Sequence, residues 1–266
     1  MPPTLIEIYR RLEQHFGRLC GEQPAWTWWP IFSRAPLFEM MVGAVLVQQT
    51  RWETVEDALL RLDSAGLLHP PAMAGTDPTH LALLIRPAAF HSQKAPGLIR
   101  IAEHLCAHYG GNPAHLLARP TEALRAELLA LPRIGPETAD VIMLYAGGHA
   151  VFVIDDYTRR LFERVLPTPP IDWRRARYAL LRSHIEQALA GQVPPAQQAA
   201  LYAEFHAQIN EICVRYCLSK PRCDGPPARR VYSRQPQRDS YLDRHDGCPL
   251  RTVCAYYQQR AVAIAE

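Results

Sequence analysis

The sequence predicts an all-α protein. Three observations carry this reading. Apolar residues recur at helical spacing through most of the chain, and prolines and glycines punctuate that pattern at helix-length intervals. The lone extended run, Val151 to Ile154, has no second run to pair with. There is no internal repeat and no alternation of strand and helix patterns.

The elements follow in order. Thr4 to Glu7 reads as a capping box, with Leu5, Ile8, Leu12, Phe16 and Leu19 forming an apolar stripe behind it. Residues 24–36 are rich in Trp and Pro and predict an irregular segment. Residues 37–62 predict one or two helices, and further patterns cover 78–86, 93–108, 113–118 and 121–131, the last with Thr121 as N-cap. Pro136 opens a helix to Ala146, which Gly147 and Gly148 end. Helices follow over about 157–166, 173–190 and 194–216, and from Cys217 the chain becomes a cysteine-rich tail.

With 266 residues, 48% hydrophobic and 21% charged, the balance is that of one folded, two-lobed protein rather than a disordered chain. No stretch approaches the roughly 20 apolar residues of a membrane span. The start, MPPTLIEIYRRLEQ, lacks a signal-peptide pattern. The expectation is a cytoplasmic monomer with no membrane partner. A net charge of +3 does not by itself point to nucleic acid. Residues 215–260, however, hold ten Lys or Arg against four Asp, a lobe that attracts a polyanion or is simply a solvated surface. Only two of the 29 basic residues are lysines, Lys94 and Lys220, so few amines are available for Schiff-base chemistry.

Leu131-Pro132-Arg133-Ile134-Gly135-Pro136 reads as a tight turn between two helices. Gly135 lets the backbone turn sharply, and the first N–H groups of the second helix then point outward, ready for a phosphate; a purely structural hairpin is the alternative. Twenty residues on, Asp155 and Asp156 close an apolar run just before a helix. One carboxylate suffices to cap that helix, which leaves the other for chemistry. Trp26, Trp28, Trp29 and Pro30, with Trp52 one helix later, are either core or the walls of a stacking pocket. Cys20 and Cys106 read as core. Cys217, Cys223, Cys248 and Cys254, with five, twenty-four and five residues between them, read as a Cys₄ metal site for zinc or a [4Fe–4S] cluster.

The hairpin and the Val153-Ile154-Asp155-Asp156-Tyr157-Thr158-Arg159-Arg160 segment resemble the endonuclease III-like branch of the helix-hairpin-helix base-excision DNA glycosylases. The likeness runs from about residue 24 to 254. It implies a two-lobed fold: a six-helix barrel lobe over 35–147 with the hairpin at 121–147, and a helical lobe from 1–34 and 148–266 with the cysteine cluster at 217–254. It implies that Asp155 is the catalytic carboxylate and that the partner is double-stranded DNA containing a damaged base, which would place the protein at the nucleoid. The DNA contacts it implies are Gln48, Arg133, Ile134, Gly135, Glu137 and Thr138. Glu137 stands where bifunctional members carry a lysine, which implies base release by hydrolysis without strand cleavage. The Trp28-Trp29-Pro30 and Gln48 to Trp52 segments, with Phe205-His206, are similar to the 3-methyladenine subgroup. That likeness makes Trp28, Trp29, Pro30 and Trp52 the base pocket and alkylated purines the expected substrates, with oxidised pyrimidines or binding without turnover as alternatives. The likeness also favours iron over zinc. The family's second and third cysteines have two residues between them, so residues 224–247 read as an insertion, either a mobile loop that touches DNA or a disordered decoration, and Cys213 stands by as a substitute ligand.

Overall fold

A computed structural model of the protein describes residues 2–20, 28–166, 171–229 and 242–265. Among these residues no strand forms; 151–154 is extended and buried but unpaired.

Helix α1 (Leu5–Phe16) starts at the expected capping box, in which the Glu7 N–H donates to Thr4 Oγ1 at 3.3 Å and the Thr4 N–H to Glu7 Oε2 at 2.7 Å. It stops at Gly17, whose φ of 73° breaks the pattern before Leu19 can join the stripe. Residues 37–62 form two helices, α2 (Pro36–Leu46) and α3 (Trp52–Ser64), split at a turn where Gln49 takes φ 53°. Short α4 (Pro70–Ala74) and α5 (Pro78–Leu84) precede the long α6 (His91–Tyr109) and short α7 (Pro113–Leu117). Then come α8 (Thr121–Ala130) and α9 (Pro136–Val141), the latter continued by one π-helical turn, Ile142–Ala146. Thr121 does not cap α8. Pro120 holds the cap position, and the Thr121 hydroxyl pairs with His149 Nδ1 at 2.9 Å instead.

Helix α10 (Asp156–Val165) begins at Asp155. Helix α11 (Tyr178–Leu189) starts later than the pattern predicts, because Asp172 Oδ1 accepts the Arg174 and Arg175 N–H groups, both at 3.0 Å, in a local turn. A 3₁₀ turn (Pro195–Gln197) leads into α12 (Gln198–Arg215), and α13 (Ala255–Ala265) closes the chain.

The chain divides into two compact units, residues 1–28 with 150–266 and residues 29–149. In the first, α12 is the central helix, buried on nearly every side and packed by α1 and α10. Its Phe205 is fully buried, with ring centroids 5.5 Å from Tyr9, 5.9 Å from Phe152 and 6.1 Å from Phe162. Burying one such ring contributes roughly 1.5–3 kcal/mol. In the second unit α2 is central and is buried from Phe38 to Leu46. Glu39 is buried with it, and its carboxylate accepts the N–H groups of Phe32 at 2.9 Å and Ser33 at 2.7 Å. Burial pushes its pKa up, but these donors satisfy the charge and tie the segment after Pro30 to α2.

Candidate active site

Candidate side chains lie in each of the two units, and each set is held on its own scaffold. In the first unit Asp155 caps α10 with one carboxylate oxygen and turns the other to α12. Its Oδ1 accepts from the Thr158 N–H and Thr158 Oγ1, both at 2.7 Å, which is the capping role. Its Oδ2 accepts from Asn210 Nδ2 at 3.1 Å and lies 3.4 Å from His206 Nε2. Burial pushes the Asp155 pKa up. The His206 bond and charge, with the Thr158 donors, outweigh it and hold the carboxyl at about 2. Asp155 is thus the cap of α10 with its second carboxylate oxygen left over, and Asp156 is exposed.

In the second unit the hairpin between α8 and α9 is shaped by a residue other than the expected glycine. Gly135 is extended, at φ −91° and ψ −179°, a conformation any residue adopts. Arg133 turns the chain, at φ 65°. Gln48 Nε2 donates to the Arg133 carbonyl at 2.7 Å and to Thr138 Oγ1 at 2.9 Å, so Gln48 is a strut between the 47–51 turn and the hairpin. The exposed amide of that turn belongs to Gln49. Pro132, Arg133, Gly135 and Glu137 are exposed, while Ile134 and Thr138 are buried. The Arg133 stem lies across Gly97 of α6, where an added Cβ would come within 2.5 Å of Arg133 Cγ. Gly97→Ala is expected to displace the hairpin arginine. The cost is about 1–2 kcal/mol of stability, read by thermal melting. Duplex binding, read by fluorescence titration, weakens with it.

Lys94 is wholly buried in the same unit. Its ammonium donates to the Leu46 and Gln48 carbonyls, both at 2.8 Å, and to Thr50 Oγ1 at 3.2 Å. Burial, aided by the Arg133 charge, lowers its pKa to about 8.

The aromatic residues also separate by unit. Trp29 is buried, with its ring edge-on to Trp52 at 5.1 Å and tilted on Tyr145 at 5.7 Å. It also packs on Gly43, where an added Cβ would sit 3.2 Å from its ring. Trp52 is partly exposed and donates to Glu56 at 2.8 Å. In the first unit Trp28 stands edge-on to His206 at 6.0 Å. Pro30 is partly exposed, and Trp26 lies outside the described residues.

One family model spans both the hairpin and the capping aspartate. The sequence model of the HhH-GPD superfamily base excision DNA repair proteins matches residues 42–187. The chain belongs to this superfamily. Members of the HhH-GPD class related to it are DNA N-glycosylases, and so is this chain. It is 33% identical over 226 residues to MJ1434 of Methanocaldococcus jannaschii, whose name assigns it to the DNA repair glycosylases; 85% of this chain and 94% of that one are covered. The H. pylori 3-methyladenine DNA glycosylase bound to 1,N6-ethenoadenine superposes with TM-score 0.64 at 28% identity, over 79% of this chain and 97% of that one. A non-covalent endonuclease III–DNA complex superposes with TM-score 0.67, over 98% and 99% of the chains; at 18% identity this likeness concerns the fold.

The cysteine tail of this HhH-GPD protein corrects the expectation of a [4Fe–4S] cluster, or of zinc, on Cys217, Cys223, Cys248 and Cys254. Among the described residues no group of three or more His, Cys, Asp or Glu side chains is placed to hold a metal ion. The physical reason is that several thiols already have protein partners. Cys217 Sγ accepts from Arg164 Nη1 at 3.2 Å, and Cys254 Sγ donates to the Arg164 carbonyl at 3.4 Å. The bond from Cys213 lowers the Cys217 pKa to about 6, against burial and with help from Arg164. Cys213 is itself no substitute ligand, since its Sγ donates to the Tyr157 carbonyl at 3.5 Å. Burial pushes the Cys223, Cys248 and Cys254 thiols up, so these three favour the protonated form. All four border one small cavity with Leu161, Leu250 and Tyr256, and none is in a disulfide. The Cys248 N–H donates to the Cys223 carbonyl at 2.9 Å, so the 224–247 insertion leaves and returns at one point; its residues 230–241 lie outside the described residues.

Sequence reasoning missed three contributors: Asn210, Lys94 as a buried strut, and Arg133 as the turn residue. Only the Lys94 role left a trace in the sequence, as a rare lysine within an apolar helical pattern.

Proposed function

We propose that this base-excision glycosylase acts on double-stranded DNA as an endonuclease III-like enzyme that releases a flipped, damaged base by hydrolysis, with Asp155 beside the sugar. The observation that carries this reading is the Asp155 carboxylate, held ionised with Oδ1 saturated and Oδ2 only lightly engaged. As the C1′–N bond breaks, its electron pair leaves on the base and the sugar becomes cationic, the charge a fixed carboxylate stabilises. A carboxyl with pKa about 2 is a poor proton acceptor at neutral pH. Its work is therefore electrostatic stabilisation and orientation of the water whose oxygen bonds C1′. The water's proton ends on the departing base or in solvent.

Endonuclease III recurs among the similar proteins in sequence and in fold, which supports this wider assignment better than the narrower alkylated-purine reading. That narrower reading keeps one specific support, the aromatic surface of Trp29, Trp52 and Tyr145 together with the likeness to the H. pylori enzyme. Hydrolysis without strand cleavage is supported by Glu137 at the exposed start of α9 and by Lys94, whose amine is committed to three acceptors. Among the described residues no helix is long and apolar enough to cross a membrane.

The test offers purified protein duplexes carrying 3-methyladenine or an oxidised pyrimidine and reads strand breaks with and without alkali. Base release seen only after alkali is the expected result, and the duplex that yields it identifies the substrate class. Breaks without alkali on either duplex would refute the hydrolytic mechanism.

A further inference from the structure

We propose that His206 is a positioning residue for Asp155, working with Asn210 to aim Oδ2 at the reacting sugar. The inference rests on the catalytic reading of Asp155 and extends it to the groups that prepare the carboxylate.

A carboxylate offers about four acceptor positions. Thr158 takes two of them on Oδ1 with short bonds, both 2.7 Å, so that oxygen is spent on the helix cap. Oδ2 receives one bond of ordinary length from Asn210, at 3.1 Å, and the longer approach of His206 Nε2, at 3.4 Å. Catalytic hydrogen bonds are often long before substrate binds and shorten in the reacting complex. His206 and Asn210 lie one turn apart on the same face of α12, and their side chains meet, with Asn210 Nδ2 3.4 Å from His206 Nε2.

Asn210 is held in turn by the His206 carbonyl, at 3.2 Å. Protonated at Nε2, His206 is within reach to donate to Asp155 Oδ2, whereas a bare Nε2 can accept from Asn210 instead. The tautomer of one ring thus decides how many donors Oδ2 has. The ring is only 5% exposed, and Phe205 beside it on α12 is locked in the aromatic core, so the imidazole has a rigid base. Trp28 stands edge-on to the ring on another side, which places one expected base-stacking residue against the group that orients the carboxylate. One further group lies near enough to feel the Asp155 charge, the Cys213 thiol of α12, kept protonated by burial.

The test compares His206→Leu, which removes the donor, with His206→Gln, whose amide nitrogen reaches about as far as Nε2. Under single-turnover conditions His206→Leu is expected to slow base release about 10²-fold, the scale of a misplaced catalytic group, with duplex affinity unchanged. His206→Gln is expected to recover most of that loss. In an Asp155→Asn background His206→Leu should add nothing, because both changes remove one unit.

A second reading needs no activity. With ¹³C-labelled aspartate, the Asp155 carboxyl resonance, assigned by its absence in Asp155→Asn, should be that of the ionised form at pH 4 in the wild type. In His206→Leu it should be shifted toward the protonated form. Should the wild type release no base from any duplex, the catalytic reading fails and the resonance alone decides the His206 role. Full activity in His206→Leu, equal losses in the Leu and Gln variants, or an unchanged resonance would each overturn the proposal.

Discussion

Asp155→Asn is expected to reduce single-turnover base release by about 10³-fold, the scale on which a preorganised charge is removed from a developing ion. Folding should survive, because asparagine is as good an N-cap as aspartate and can still accept the Thr158 N–H. The pH dependence follows from the sign of the shift. The Asp155 pKa is depressed to about 2, so its stabilising contribution is complete above the ordinary carboxyl range and is lost as the pH falls through 2. The stability difference between wild type and Asp155→Asn should therefore be flat from about pH 5 to 8 and shrink by about 2 kcal/mol below pH 4. Urea titrations across that range check it. The same ionisation predicts that any acidic limb of the rate profile near neutrality belongs to another group, and an Asp155→Asn variant with near wild-type base release would remove the carboxylate from the mechanism.

Lys94→Met should be the most damaging single change to the fold of the second unit. The ammonium is the donor shared by the carbonyls of Leu46 and Gln48 and by Thr50 Oγ1, and the side chain is wholly buried. Methionine fills the space but leaves these acceptors facing a thioether. The expected loss is on the order of 3 kcal/mol, or roughly 6–12 °C in Tm for a protein of this size. The released 47–51 turn also carries Gln48, so duplex binding should weaken through the hairpin. The pKa of Lys94 is lowered to about 8, below the ordinary lysine value of 10.5. Between these values the unfolded chain holds a proton that the folded one has released, and the stability of the wild type, relative to Lys94→Met, should rise with pH through this window. A melting temperature within about 1 °C of wild type would show that the three acceptors find other partners.

The parts of the protein legible from the residues are those decided within a few positions along the chain. Thr4 and Glu7 meet because they are three residues apart at a helix start, and Pro136 opens α9 because its missing N–H is not needed there. The helix spacing that separates α8 from α9 was readable for the same reason, and so was the aspartate ahead of α10. Where the expectations erred, a distant partner usually decided. Thr121 was drawn from capping by His149, 28 residues away, while the delay of α11 by the Asp172 turn is a local effect that the helical spacing overrode in the reading. Gly135 suggested the bend, but Arg133 makes it, with its stem supported on Gly97 from another helix. Cysteine spacing pointed to a metal, whereas Arg164 engages the sulfurs of Cys217 and Cys254 and the Tyr157 carbonyl that of Cys213.

The sequence by itself determined the all-α class, the hairpin and the aspartate that follows it, since helix periodicity, capping and turn chemistry are local and survive without knowledge of the fold. Only the tertiary structure decided what those residues touch. Asn210 reaches Asp155 across 55 residues of sequence, Lys94 reaches Leu46 across 48, and Gln48 reaches Arg133 across 85. Hydrogen bonds between residues so far apart depend on how whole helices pack, and no period or spacing in a single chain records that packing.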